Sequence, residues 1–116
     1  MRETAMAYHR QRRGNCAQSV VHAWDEKHPD RQAGVAAFAP CGGGRAPGGL
    51  CGALHAGCAL AGDAAETIKR EFSEKSGGVL TCREVRAAKK LTCNECVGLA
   101  AELLERHADP GDENGR

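Results

Sequence analysis

Apolar positions along this chain recur with the period of a helix, and no segment alternates in the two-residue rhythm of a strand. Cys16, Val20, Ala23 and Trp24 fall on one helical face. Asn15 precedes them as a cap residue, with Gln18 three positions on, a capping-box variant. That helix is expected to end before Pro29, because the residue ahead of a proline is biased away from helix. Pro29 to Ala39 predicts a second, short helix edged by Val35 and Phe38 and weakened by Gly34. Leu50 to Ala61 predicts another, with Leu50, Leu54, Cys58 and Ala61 on one face and Gly62 as a left-handed end. Asp63 and Glu66 read as a capping box for a helix with the inward stripe Ala65, Ile68 and Phe72, closed by Gly77 and Gly78. Thr81 opens a short helix with Val85 and Ala88 inside. Thr92 opens the last one, where Cys96, Val97, Ala100, Leu103, Leu104 and His107 make a strong face that Asp109-Pro110-Gly111 stops. The expected fold is all-α: a compact bundle of about five or six short helices with a Gly-rich loop.

Residues 1–13 carry no clear apolar period and are expected to be a loose N-terminal segment. Residues 14–108 read as a single helical, cysteine-rich domain, and 109–116 as a disordered tail. The loop is Pro40-Cys41-Gly42-Gly43-Gly44-Arg45-Ala46-Pro47-Gly48-Gly49, too rich in glycine and proline for regular structure. It matches neither phosphate-binding glycine motif: no Lys-Ser/Thr follows, no strand precedes, and Pro47 occupies the last glycine slot of a Gly-x-Gly-x-x-Gly run. Its simplest role is a surface connector. Its chemical opportunity is to bring backbone N–H groups close to an anion, a cluster or another stretch of backbone.

Composition makes the core thin. Leu, Ile, Val and Phe together number 17 of 116 residues, and alanine alone 20. Closely packed Ala-rich helices, helped by a disulfide, a metal or a partner, are the expected solution. Lys and Arg number 16 against 15 Asp and Glu. This balance points to no nucleic acid and no anionic membrane. No run of apolar residues is long enough to span a bilayer, and the sequence after Arg13 is too polar for a signal-peptide core. A cytoplasmic location is expected. In that compartment seven cysteines suit catalysis or metal binding better than a static disulfide frame.

The cysteines carry the chemistry through their position. Thr81-Cys82-Arg83-Glu84 and Thr92-Cys93-Asn94-Glu95 repeat one phrase, Thr-Cys-x-Glu, which caps a helix and puts a cysteine at its first position. Cys16 follows Asn15 in the same way, and Cys51 falls in the first turn of its helix. Unpaired N–H groups and the positive end of the helix dipole favour a thiolate there, the form that attacks disulfides or binds metals. Cys96 lies one turn beyond Cys93, within reach of a disulfide or a shared metal. The alternative is that these are small core hydrophobes, since free cysteine is among the most buried residue types. Cys58 reads as core and Cys41 borders the loop. His55, one turn after Cys51, is placed to orient that thiol, and Arg45 to stabilise a thiolate across the loop.

Asn15-Cys16-Ala17-Gln18, the Gly42–Gly49 loop, Cys51-Gly52-Ala53, Cys82 and Cys93-x-x-Cys96-Val97 together resemble the bacterial C_GCAxxG_C_C proteins, a family described as redox-active and named for four cysteines. The resemblance covers about residues 14–105. It implies Cys16, Cys51, Cys82 and either Cys93 or Cys96 as the redox or ligand set. One departure is visible: the signature wants glycine at Ala56, and Gly57 comes one residue late.

Three readings follow. In the first, Cys16, Cys51, Cys82, Cys93 and Cys96 do thiol–disulfide or electron-transfer chemistry with a partner oxidoreductase, with Cys93 or Cys51 attacking and Cys96 resolving. In the second, Cys16, Cys51, Cys82 and Cys93 bind an iron–sulfur cluster or, less readily, zinc. In the third, the cysteines only pack, in an interaction module without catalysis. The cofactor, the substrate, the oligomeric state and whether the chain is an enzyme are left open. The geometric question is whether the four helix starts face a common centre.

Overall fold

The computed structural model describes residues 1–108. Six α-helices form the described part of the chain: α1 (Arg2–Arg10), α2 (Cys16–Lys27), α3 (Gly52–Ala61), α4 (Ala65–Ser76), α5 (Cys82–Ala88) and α6 (Cys93–Ala108). They make a compact all-α bundle with no sheet among the described residues. The tail expected to be disordered lies outside these residues.

α6 is the central rod. It packs against α1, α2, α3 and α4, and Cys96, Val97, Leu99, Ala100, Ala101, Leu103 and Leu104 on it are all buried. Val20, Val21, Leu54, Ile68 and Phe72 complete the core. Alanine makes this possible with few bulky residues. Ala17, Ala53, Ala56, Ala100 and Ala101 are fully buried, so helix axes approach closely and short side chains fill the gap. Ala56 is accommodated in full burial. Gly57 faces the Ala100 carbonyl at ordinary contact distance.

The ends of the helices are chemically distinct. α2 begins with a complete capping box: Asn15 accepts from the Gln18 N–H at 2.8 Å, and the Gln18 side chain accepts from the Asn15 N–H at 3.1 Å. α6 repeats it, with the Thr92 hydroxyl accepting from the Glu95 N–H at 3.0 Å and Glu95 accepting from the Thr92 N–H at 2.8 Å. At α5 the Thr81 hydroxyl accepts from the Glu84 N–H and donates to the Glu84 carboxylate. The box expected at Asp63 does not form. A tight 3-10 turn over Gly62–Ala64 intervenes, and α4 starts at Ala65 without a side-chain cap.

Two segments differ from the sequence reading. Where a loose stretch was expected over 1–13, the chain forms α1, with Ala5 and Tyr8 buried against the bundle. Its docking depends on Gly98 of α6, where a Cβ would come 2.5 Å from the Met6 sulfur. The Arg2–Glu102 ion pair at 2.8 Å borders the same interface. The second difference is the helix expected from Pro29 to Ala39, which is reduced to a 3-10 helix at Val35–Cys41. Gly34 has a φ of 91°, outside any right-handed helix. The buried Asp25 carboxylate takes the N–H groups of Ala33 and Gly34 instead.

Candidate functional site

The N-terminal ends of α2, α3, α5 and α6 surround one cavity of about 270 Å³. Cys16, Cys51, Cys82, Cys93 and Cys96 all line it, with Gly43, Gly52, Val85, Arg86 and Leu91. The five cysteines singled out as site candidates are thus brought together. All seven cysteines of the chain are free thiols.

Local structure explains the convergence. Leu50 and Thr81 form an isolated antiparallel bridge, and the Cys51 N–H donates to the Leu80 carbonyl at 2.9 Å. This clasp ties the start of α3 to the start of α5 and sets Cys51 and Cys82 side by side. Cys51 is the cap residue of α3 rather than a first-turn residue. Gly52, next to it, lets α2 in. A Cβ there would lie 2.6 Å from the Cys16 sulfur and 2.5 Å from the Cys41 carbonyl oxygen. No side chain fits between those two neighbours, so glycine at 52 is a condition for Cys16 to reach the cavity.

Four of the five thiols couple as two pairs, Cys16 with Cys93 and Cys51 with Cys96. Cys16 is 7 % exposed, and its pKa is lowered to about 6. The first cause is the Cys93 thiol, which donates to it; burial opposes, and the N–H groups of Gly43, Ala17 and Ala53 assist. Those donors come from the Gly-rich loop and from the starts of α2 and α3. The loop's role is therefore specific: Gly43, with a φ of 62°, turns its N–H onto a sulfur. Cys51, 5 % exposed, is also held below the ordinary thiol range. The Cys96 thiol is the main cause, with the N–H groups of Leu54 and Ala53 contributing. Burial and the negative charge of Cys16 act against it. Two anions this close cannot ionise independently. Cys16 ionises first, and its charge makes the Cys51 thiolate harder to form.

Cys93 and Cys96 are the donors and behave oppositely. Each is pushed well above the ordinary thiol range, Cys93 first by its bond to Cys16 and Cys96 first by its bond to Cys51. Of the two expected attacking thiols, Cys93 and Cys51, burial and the neighbouring Cys16 sulfur disfavour the thiolate at Cys93, whereas Cys51 is held below the ordinary range. Cys93 is nevertheless the exposed member of the set, whereas Cys96 is 1 % exposed.

A second contact at Cys93 had no counterpart in the sequence reading. His9 Nε2 of α1 is 3.6 Å from the Cys93 sulfur. The Asn94 amide nitrogen donates to the Met6 carbonyl at 3.1 Å and lies 3.0 Å from His9 Nδ1. Because the Met6 carbonyl only accepts, the amide is oriented with its N–H groups outward, and His9 Nδ1 must accept the other one. The neutral imidazole then carries its proton on Nε2 and donates it to sulfur. The hydrogen bonds run in one direction: Asn94 to His9, His9 to Cys93, Cys93 to Cys16.

The remaining candidates are placed elsewhere. Cys41 and Cys58 are half-buried outside the cavity lining. Burial raises the Cys58 thiol, whose sulfur faces the Ala65 carbonyl at 3.7 Å. The His55 ring packs beside Phe38. Arg45 turns back on its own loop and donates to the Gly42 carbonyl at 2.9 Å. The arginine at the cavity is Arg86, one helical turn after Cys82. That i, i+4 spacing was visible in the sequence. His9 was not, because its helix was not.

No family model, curated protein or solved structure matches this chain. Among the described residues, no group of three or more Cys, His, Asp or Glu side chains is arranged to hold a metal ion. No helix among the described residues is long and apolar enough to cross a membrane.

Proposed function

We propose that this cysteine-rich helical protein is a thiol–disulfide redox protein built on two dithiols, Cys16–Cys93 and Cys51–Cys96. The observation that carries the reading is the pairing itself. In each pair a buried sulfur at the start of one helix is favoured as a thiolate, and its neighbour at the start of α6 holds a proton. An attacking thiolate beside a resolving thiol is the arrangement thiol–disulfide exchange requires. The resemblance to the C_GCAxxG_C_C proteins, which implies Cys16, Cys51, Cys82 and either Cys93 or Cys96, supports a redox role.

The chemistry runs in two exchanges. The Cys16 thiolate attacks one sulfur of a substrate disulfide, a Cys16–substrate bond forms, and the other half leaves as a thiolate that takes a proton from solvent. Cys93 then gives its proton to solvent and attacks the Cys16 sulfur, which releases the second half. The substrate disulfide is reduced by two electrons to two thiols, and Cys16 and Cys93 are oxidised to a disulfide. A partner dithiol oxidoreductase restores them: one of its thiolates attacks the exposed Cys93 sulfur and releases Cys16, and its second thiol then releases Cys93, leaving the partner oxidised to a disulfide. His9 donates to the Cys93 sulfur, which favours its ionisation at the second step. Cys51–Cys96 is a second, more buried dithiol in the same cavity, and Cys82 sits at its edge.

Protein purified without oxygen, assayed for iron and zinc and for free thiols before and after mild oxidation, tests this. The expected result is reversible, pairwise loss of four thiols. Stoichiometric iron with broad absorbance near about 400 nm, where thiolate-ligated clusters absorb, would replace this reading with the cluster. Seven thiols inert to oxidation would leave an interaction module.

A further inference from the structure

The cavity has a mouth, and the mouth is cationic. A second hollow of about 390 Å³ adjoins the first and shares Gly43, Cys82 and Arg86 with it; Gly44 and Arg83 complete its walls. Arg83 and Arg86 are exposed on α5, and neither is ion-paired to a described residue. Arg106 on α6, by contrast, pairs with Glu102 at 2.9 Å and with Glu71 at 3.4 Å. Two unmatched guanidiniums beside a thiol cavity favour an anion, and planar guanidinium suits a carboxylate in particular.

Size and depth narrow the ligand further. The two sulfurs that favour the thiolate form are buried, at 7 % and 5 % exposure. A cavity of about 270 Å³ lies near the lower end of small-molecule sites, roughly 300–1,000 Å³. A disulfide on the surface of a folded protein cannot bring its sulfur down to Cys16, whereas one arm of a small disulfide can.

From this we infer that the substrate of the Cys16–Cys93 dithiol is a low-molecular-weight disulfide bearing carboxylates, received by Arg83 and Arg86 at the cavity mouth. The inference rests on the dithiol reading and adds the substrate class. The exchange is the one written above, with each released half carrying its own carboxylate.

Two disulfide probes separate the two levels. Dithiobis(nitrobenzoic acid) is dianionic at neutral pH and dithiodipyridine is neutral; both report their released thiol by absorbance. The reduced wild-type protein is expected to react with both faster than free cysteine does. Changing Arg83→Gln and Arg86→Gln together is expected to slow the anionic probe about tenfold, and the neutral probe less than about twofold. Both side chains are exposed, so the fold is retained. Arg106→Gln, about 20 Å from Cys93 along α6 at 1.5 Å per residue, controls for overall charge and is expected to change neither rate. An equal effect of the double variant on both probes, or none on either, overturns the anionic subsite while the dithiol reading stands. Wild-type protein no faster than free cysteine with either probe overturns the dithiol reading itself, and the subsite with it.

Discussion

In the proposed dithiol, Cys16 and Cys93 share one proton between two sulfurs, and the chemistry follows from which sulfur lets it go. Cys16, lowered to about 6, is mainly thiolate at neutral pH. Its alkylation is expected to fall about tenfold from pH 7 to pH 5, where a free thiol of pKa about 8.5 would already be largely unreactive at both. Cys93→Ala removes the largest cause of the shift, and the Cys16 titration, read by thiolate absorbance, is expected to move upward. A Cys16 titration unmoved by Cys93→Ala would contradict the pairing. Stability follows with a definite sign. The lowered Cys16 pKa stabilises the fold increasingly from about pH 6 to the ordinary thiol pKa near about 8.5. Above that, Cys93 ionises more readily in the unfolded chain than in the fold, so the contribution declines. The urea midpoint of wild type relative to the Cys16→Ala, Cys93→Ala double variant is expected to peak near that pH. His9 acts one step later. His9→Ala removes one hydrogen bond to a developing thiolate, worth about 1.5–3 kcal/mol. The lifetime of the Cys16 mixed disulfide is expected to lengthen about tenfold or more, with the Cys16 titration nearly unchanged. Equal lifetimes in both proteins would remove His9 from the second exchange.

Helix ends and helix contacts decide where those sulfurs stand. The starts of α2 and α6 were legible in the sequence because each is a closed local box, Asn15 with Gln18 and Thr92 with Glu95. The cap at Asp63 was misleading because Gly62 diverts the backbone into a 3-10 turn first. α1 was illegible for a different reason. Its stabilising partner is the absence of a side chain on another helix, at Gly98, and such a vacancy has no periodicity of its own. The convergence of four helix starts was legible only as a question, since bundle geometry is a long-range property. Glycine substitutions separate the two kinds of close contact. Gly52→Ala meets a backbone carbonyl at 2.5 Å as well as the Cys16 sulfur, and is expected to cost about 1–3 kcal/mol, the usual range for overpacking. Gly98→Ala meets the flexible end of Met6, and a clearly smaller loss is expected. Urea midpoints of the two variants check the order. Equal losses would show that the start of α3 has room to move away from α2.

At the scale of the whole molecule, the cavity joins chain segments that are distant in sequence. Cys16 and Cys93 stand in α2 and α6, so a disulfide between them closes most of the chain. Bridges across long loops stabilise by about 2–4 kcal/mol through the unfolded state, a large share of what so thin a core supplies. A bridge between Cys93 and Cys96 closes a loop within one helical turn and restrains the unfolded chain little. The oxidised protein is therefore expected to be the more stable form if the pairs across the cavity are the redox couples. The Thr-Cys-x-Glu repeat, which by itself suggested a local Cys93–Cys96 couple, also supplies parts of a wall shared with α2 and α3. Disulfide mapping by mass spectrometry after mild oxidation, without reduction before proteolysis, reads this most directly. Peptides joining Cys16 to Cys93 and Cys51 to Cys96 are the predicted result; a single bridge from Cys93 to Cys96, with Cys16 and Cys51 still free, would contradict it.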